Sequence, residues 1–229
     1  MIMSTDSALY RLLLWLSPAY PIGGFSYSHG IEAAVEAGQL ATASDLVDWI
    51  ETVLIGGAGV IDAALFAAAY RAVDADDLKS LAAIADSGSV WRGTEELALE
   101  SSQQGASFLA ISNAAWPEPK LTRFSAERDG QAALPVAVAV AAAAHGIPLR
   151  AALHAYLTGF VANLVSAGLR IIPLGQTAAQ IALARLEPAV MDAVEAGLIA
   201  DIDSAGAAAP CLDLFSITHE TQYTRLFRS

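Results

Sequence analysis

The chain has 229 residues, of which 55% are hydrophobic and 16% charged, and its 12 basic and 24 acidic residues give a formal charge of −12. This composition excludes an intrinsically disordered chain, which has too few apolar residues to form a core, and argues against nucleic-acid binding, which needs clustered lysine and arginine. The single cysteine, Cys211, excludes an internal disulfide and suggests a reducing compartment.

The first predicted helix covers about residues 9–16, where leucines recur at helical spacing. It ends at Ser17-Pro18 because proline lacks a backbone N–H and disfavours helix in the residue before it. A short helix follows from about His29 to Ala37. Thr42 and Asp45 then have the pattern of a capping box. Pro148 suits a helix start.

The remaining helices are predicted in chain order at approximate positions 42–55, 60–72, 78–88, 94–114, 121–130, 132–144, 148–172, 175–186 and 188–202. The last two form either one broken helix or two joined helices. No segment favours a strand. The pattern therefore predicts an all-α single-domain bundle of roughly eight to ten helices with a polar C-terminal tail.

The segment 17–32, SPAYPIGGFSYSHGIE, is called the corner. Its prolines and glycines are typical of a turn, but its aromatic and hydroxyl side chains exceed what a connector needs. Two interpretations are open at this point. The aromatics could plug the core while the serines cap the next helix, or the corner could be a recognition surface.

The chain changes character after Asp203, so we predict a helical body over 1–203 and a linker with a C-terminal docking tail over 204–229. The tail lacks a sustained helical period and brings together tyrosine and arginine, residue types that anchor interfaces. It could fold back over the helices, but a segment that a partner orders is the preferred interpretation.

Self-contained chemistry is not predicted. Ser26 and Ser28 are near misses for a nucleophile elbow, which needs G-x-S-x-G after a strand. The four histidines and one cysteine show no metal-ligand spacing, so neither a metal nor a cofactor of the chain's own is expected. The glycines at 56–59 lack the lysine of a phosphate-binding loop. Arg170, set among apolar residues, is expected to be partly buried in an ion pair or a functional contact.

Three runs stand out along the chain: the corner, the run RIIPLGQT at 170–177 and the run HETQYTRLFRS at 219–229. Together they resemble the urease accessory protein UreF family. The resemblance implies an all-helical protein that tends to dimerise and binds the accessory protein UreD, also called UreH. It further implies recruitment of the GTPase UreG, an influence on its GTP hydrolysis, and delivery of nickel to the urease apoprotein.

The resemblance also makes the matching residues candidates for partner or dimer surfaces. In the first two runs these are Phe25, Tyr27, His29, Glu32, Arg170 and Gln176. In the tail they are His219, Glu220, Gln222, Tyr223, Arg225, Phe227 and Arg228. The preferred function is an adaptor without catalysis. A serine hydrolase using Ser26 or Ser28 and a nickel-binding metallochaperone are the alternatives.

Membrane insertion is not expected. The longest uninterrupted apolar run, Ala132 to Ala144, contains a proline and falls short of the roughly 20 residues that span a bilayer. No secretory signal is visible, because the basic region that precedes the apolar stretch of such signals is missing. The sequence therefore predicts a cytoplasmic protein.

Overall fold

The computed structural model describes residues 5–229 and is all-helical over that range. The α-helices are α1 Thr5–Trp15, α2 Ile31–Glu36, α3 Ala43–Gly56, α4 Ala58–Asp74, α5 Leu78–Val90, α6 Glu95–Ala115, α7 Pro119–Glu127, α8 Leu134–Ala144, α9 Leu149–Ile171, α10 Gln176–Ile199 and α11 Pro210–Glu220. The predicted class is confirmed. The helices described over 5–229 number eleven, slightly above the predicted eight to ten, and α11 lies in the tail, where the sequence pattern predicts no helix.

Local signals set several helix ends as predicted. The Thr42 hydroxyl accepts the Asp45 N–H at 3.2 Å, and the Asp45 carboxylate accepts the Thr42 N–H at 2.8 Å. This reciprocal pair satisfies donors that the first turn of α3 leaves free. Pro188 lies inside a continuous α10, so the two predicted segments around it form a single helix.

The centre of the bundle is α8, which packs against α4, α6 and α9. Its residues from Val136 to Ala142 are fully buried, and their small side chains allow neighbouring helices to approach closely. Gly105 on α6 shows how close this approach is: a Cβ added there would lie 2.0 Å from the Ala132 carbonyl oxygen.

By length and composition alone, helix α9 is long and apolar enough to cross a membrane. The bent pair α3–α4 would also meet this criterion if the two helices were counted as one membrane span. The prediction that the chain does not insert into a membrane was based on the uninterrupted apolar run at 132–144, which lies outside α9. Half of the most apolar stretch of α9 is buried inside the bundle. This burial is what a core helix of a bundle shows.

The tail folds back onto the body, where α11 packs against α2 and α6. Sequence reasoning misses this helix because its inward face is partly polar: Ser216 and His219 are fully buried beside the partly buried Leu212 and Phe215, whereas Leu214 and Ile217 are 61% and 48% exposed. A search for apolar residues at helical spacing depends on an apolar inward face. Polar contacts and the packing of Leu212 and Phe215 against the core together hold this helix in place.

Candidate functional site

The corner and the end of the tail are joined by backbone hydrogen bonds. The Ser28 N–H donates to the Ser229 oxygen at 2.7 Å, and the Arg228 N–H donates to the Ser26 oxygen at 2.8 Å. The Ser28 hydroxyl also donates to the Ser229 oxygen. Two of the runs that sequence analysis singled out, from opposite ends of the chain, therefore form one continuous structure.

Glu32 is the main acceptor for the tail. Its carboxylate, 9% exposed as a residue, accepts the Leu226 N–H at 2.7 Å and the Phe227 N–H at 2.9 Å. The same carboxylate lies 3.1 Å from Nε2 of His219. A buried carboxylate needs such donors because it has lost its water. Glu32 thus fixes both the chain path of the tail and the position of the histidine.

His219 connects two helices through its ring. The side chain is fully buried, with Nε2 facing Glu32 and Nδ1 lying 2.8 Å from the Glu96 carboxylate. An ionised carboxylate only accepts hydrogen bonds, so each ring nitrogen of His219 faces an acceptor. Arg225 donates to the other Glu96 oxygen at 2.9 Å. The Glu96 carboxylate thus joins the ring of His219 and the guanidinium of Arg225.

Glu100, one turn beyond Glu96 on α6, receives the end of the tail. It accepts the Ser229 hydroxyl at 2.9 Å and the Gln104 amide at 3.2 Å. His29 lies 3.5 Å away, and its Nδ1 has no hydrogen-bond partner within residues 5–229. His29 also has a left-handed backbone, with φ of 58°, a conformation that is uncommon for a residue with a side chain. The corner is therefore held in a strained shape beneath the tail.

An outer layer of arginines and aromatics covers these buried contacts. The Arg170 guanidinium lies over the Phe227 ring at 4.1 Å and donates to the Phe25 oxygen at 2.5 Å. Arg228 lies 5.9 Å from the Tyr27 ring centroid. Burial raises the pKa of Tyr27, although the nearby Arg228 charge opposes this effect. Arginine over an aromatic ring is a favourable cation–π arrangement, so the corner and the tail interlock on this side as well.

The structure separates the predicted site residues into two groups. The side chains of Tyr27, His29, Glu32, His219 and Phe227 are buried and hold the corner and tail together. The outward-facing set comprises Phe25, Tyr223, Arg170, Arg225 and Arg228. Partner contact by any of them stays a prediction.

Three other predicted residues lie apart from the buried network. Gln176 is exposed at the start of α10, and the Glu220 side chain has no hydrogen-bond partner among residues 5–229. Gln222 donates to the Thr224 oxygen at 3.0 Å.

The sequence predicts that Arg170 is partly buried in an ion pair or a functional contact. It is exposed, and none of the ion pairs within residues 5–229 involves it.

Sequence reasoning missed the carboxylates that receive the tail, Glu96 and Glu100. It also missed Thr94, whose hydroxyl lies 2.7 Å from that of Ser216 in α11. The four-residue spacing of the two glutamates places them on one face of α6. That signal was readable, but nothing local pairs this face with residues more than 120 positions away.

A second buried polar cluster lies beneath the loop between α5 and α6. Arg92 forms an ion pair with Asp62 at 2.7 Å, and the Tyr156 hydroxyl donates to the same carboxylate at 2.5 Å. Burial raises the pKa of Tyr156 well above its usual value, and the Asp62 charge adds to this shift. Burial acts to lower the pKa of Arg92, but the charges around it outweigh that effect and the pKa is raised. The ion pair thus ties the loop between α5 and α6 to α4.

The positions of the serine and histidine side chains can be compared with what a serine hydrolase and a nickel-binding metallochaperone would need. Within residues 5–229, no histidine forms a hydrogen bond with Ser26 or Ser28, and the Ser28 hydroxyl is buried. The same range contains no group of three or more histidine, cysteine, aspartate or glutamate side chains that could hold a metal ion. His219 meets its two carboxylates through opposite sides of the ring, so the three groups do not converge on one point.

Comparison with known proteins gives consistent matches. The family model described as UreF matches residues 40–187. A urease accessory protein UreF from Granulibacter bethesdensis is 53% identical over 224 residues, covering 98% of this chain and 95% of that protein. Proteins of the same name from Rhodopseudomonas palustris and Bradyrhizobium diazoefficiens are each 48% identical, and each alignment covers 97% of this chain and 92% of that protein.

Proposed function

Because the chain belongs to the UreF family of urease accessory proteins, we propose that it acts in urease maturation as an adaptor without catalysis of its own. It binds UreD (UreH) and, through that pair, recruits the GTPase UreG and modulates its GTPase activity. GTP-dependent nickel insertion into the urease apoprotein follows. Nickel is the cargo of this assembly.

One observation carries the proposal: the corner and the tail form a single surface, with a buried hydrogen-bonded layer beneath and exposed side chains above. Glu32, Glu96 and His219 fix the lower layer, so the outer side chains are held in place before a partner arrives. Such preorganisation reduces the ordering cost of binding. The exposed Tyr223 and Phe25 are aromatic anchors of the kind that dominate binding energy at interfaces.

We place UreD on this surface, with residues 204–229 as the docking tail and residues 1–203 as the body that supports it. Leftover apolar surface on the helices, such as Ile199 and Met191 on α10, suits contact with a second copy of the chain. We therefore propose that the chain forms a homodimer. We also propose that it works in the cytoplasm, as its sequence predicts. Its mass can be measured by size-exclusion chromatography with light scattering.

The test replaces one exposed tyrosine and compares it with another. Tyr223 is fully exposed and makes no side-chain hydrogen bond or ring contact within residues 5–229, so Tyr223→Ala should leave the melting temperature unchanged. If Tyr223 is an anchor worth about 2 kcal/mol, its loss weakens binding to purified UreD by about 30-fold. Tyr10→Ala on α1, where Tyr10 is also exposed, is the matched control and should bind as the parent does.

The same variants should be scored for nickel content and activity of urease in cells that lack the native gene. Tyr223→Ala is expected to lower both, and Tyr10→Ala neither. Equal behaviour of the two variants would place the partner surface elsewhere. Failure of the unaltered chain to restore urease activity would refute the role in maturation.

A further inference from the structure

The cations of this acidic chain are unevenly placed. Three of its twelve basic residues, Arg170, Arg225 and Arg228, lie around the junction of corner and tail. Contacts already described connect them: Arg170 lies on Phe227, Arg228 follows Phe227 in the chain, and Arg225 is two residues before it. A protein with a formal charge of −12 thus carries a local cluster of arginines.

Two of these guanidinium groups keep their charge unpaired. None of the ion pairs within residues 5–229 involves Arg170 or Arg228. Arg225 shares Glu96 with His219 and is itself exposed. An exposed arginine that lacks a carboxylate leaves planar N–H donors available for bidentate contact with one.

The carboxylates beneath this surface are themselves buried and already have hydrogen-bond donors. Glu32, Glu96 and Glu100 have side chains at most 14% exposed, and they accept hydrogen bonds from donors of α6 and the tail. Their negative charge is directed inward, towards His219 and the tail backbone. The charged groups that a partner can reach at the junction are therefore mainly the arginines.

Exposed apolar side chains accompany the charges. Phe25 is 66% exposed and Leu226 62% exposed, and Tyr223 completes the set. Arginine with aromatic residues is the composition that is enriched at interface cores and hot spots. Because these apolar groups are exposed, the interior of this chain does not need them.

We infer that this surface, formed by Phe25, Arg170, Tyr223, Arg225, Leu226 and Arg228, binds a carboxylate-rich face of UreD, with the arginines pairing with acidic side chains around an apolar centre. This inference rests on the proposed function, since it specifies the chemistry of the partner face. Charge complementarity selects the occupant: an acidic face is attracted by the arginines and a basic face is repelled. Such complementarity acts mostly on the association rate and on partner choice.

The test reverses one charge that supports little else. Within residues 5–229 the Arg228 guanidinium makes no hydrogen bond, and it lies 5.9 Å from the Tyr27 ring centroid, so Arg228→Glu and Arg228→Lys should fold as the parent does. Arg185→Glu on α10 is the matched control, because Arg185 is also exposed, forms no ion pair within the same range and changes the net charge equally when reversed. Binding to purified UreD is measured by surface plasmon resonance at about 0.1 M and about 1 M NaCl, where the screening length is about 10 Å and about 3 Å.

The expected result at low salt is a loss of at least about tenfold in affinity for Arg228→Glu, mainly through slower association. Arg228→Lys should stay within about threefold of the parent, since it keeps the charge but not the planar fork. Arg185→Glu should bind as the parent does, and association of the parent should slow at high salt. Melting temperatures of all variants are measured in parallel to verify folding.

Different failures have different meanings. If the unaltered chain binds UreD but Arg228→Glu and Arg185→Glu behave alike, or if salt has no effect on association, the acidic-face inference is overturned while the adaptor function stands. If Arg228→Glu changes only the self-association mass, the acidic face belongs to a second copy and the inference is wrong. If the unaltered chain does not bind UreD at either salt concentration, the proposed function fails and the inference fails with it.

Discussion

His219 is the residue whose loss should open the tail. Its two ring nitrogens bond to Glu32 and Glu96 at 3.1 and 2.8 Å, in a site where the ring is fully buried. Hydrogen bonds to charged groups contribute about 1.5–3 kcal/mol each, and His219→Ala removes two of them. We therefore expect His219→Ala to weaken the closure of the tail by about 3–6 kcal/mol.

This cost should be local, because α11 contacts the body mainly at α2 and α6, whereas the core is centred on α8. The assay is native-state hydrogen exchange of the Leu226 and Phe227 amides, which donate to Glu32. Since every 1.4 kcal/mol is a factor of ten, the loss of about 3 kcal/mol should speed their exchange by at least about 100-fold. His154→Ala, at an exposed position on α9, is the control and should leave these amides protected.

Two outcomes would refute this reasoning. Unchanged protection of both amides in His219→Ala would mean that the ring does not hold the tail. An equal acceleration of exchange throughout the bundle, with a matching fall in melting temperature, would mean that the tail and body unfold as one unit.

Two further predictions concern the body. A Cβ at Gly105 would lie 2.0 Å from the Ala132 carbonyl oxygen, whereas a Cβ at Gly175 would meet nothing within 4 Å. Gly105→Ala should therefore lower the free energy of unfolding by about 3 kcal/mol or more. Equal denaturant midpoints for Gly105→Ala and the control Gly175→Ala would contradict this. Burial, and to a lesser degree the Arg11 charge, lowers the pKa of His145 below its ordinary value of 6.5. The unfolded chain therefore binds this proton more readily than the folded chain, so the free energy of unfolding falls as the pH drops below 6.5 towards the lowered pKa of the folded state. Melting temperatures of the parent and His145→Asn between about pH 5 and about pH 8 should show a smaller acid loss in the variant, and identical pH profiles would count against the assignment.

Helix positions were readable from the sequence wherever the deciding signal is local. The Thr42–Asp45 capping box operates within one turn, and the proline after Ser17 acts on its immediate neighbours. Helix α10 was the harder case, since Pro188 suggested a break, yet the helix continues through it. Proline weakens a helix locally, but packing against α3, α4 and α9 supplies stabilisation that no local pattern contains.

The candidate site was readable only in part. Its residue types were visible in the corner and the tail, and the resemblance to a known family singled out the same runs. Their division into a buried layer and an exposed layer was not visible. Tyr27 and Phe227 are buried, whereas Phe25 and Tyr223, which are equally aromatic, are exposed. Burial of an aromatic ring depends on what packs over it, and here that neighbour comes from a distant part of the chain.

The sequence by itself determined the all-helical class, most helix limits and the family, because these follow from short-range patterns and from runs of residues that can be compared directly. Only the tertiary structure decided that the tail folds back and that its helix turns a partly polar face inward. The hydrogen bond between His219 and Glu32 joins residues 187 positions apart, and no local preference encodes such a partner. The pairing is selected by the cost of burying a charge alone, which only the folded arrangement of α2, α6 and α11 removes.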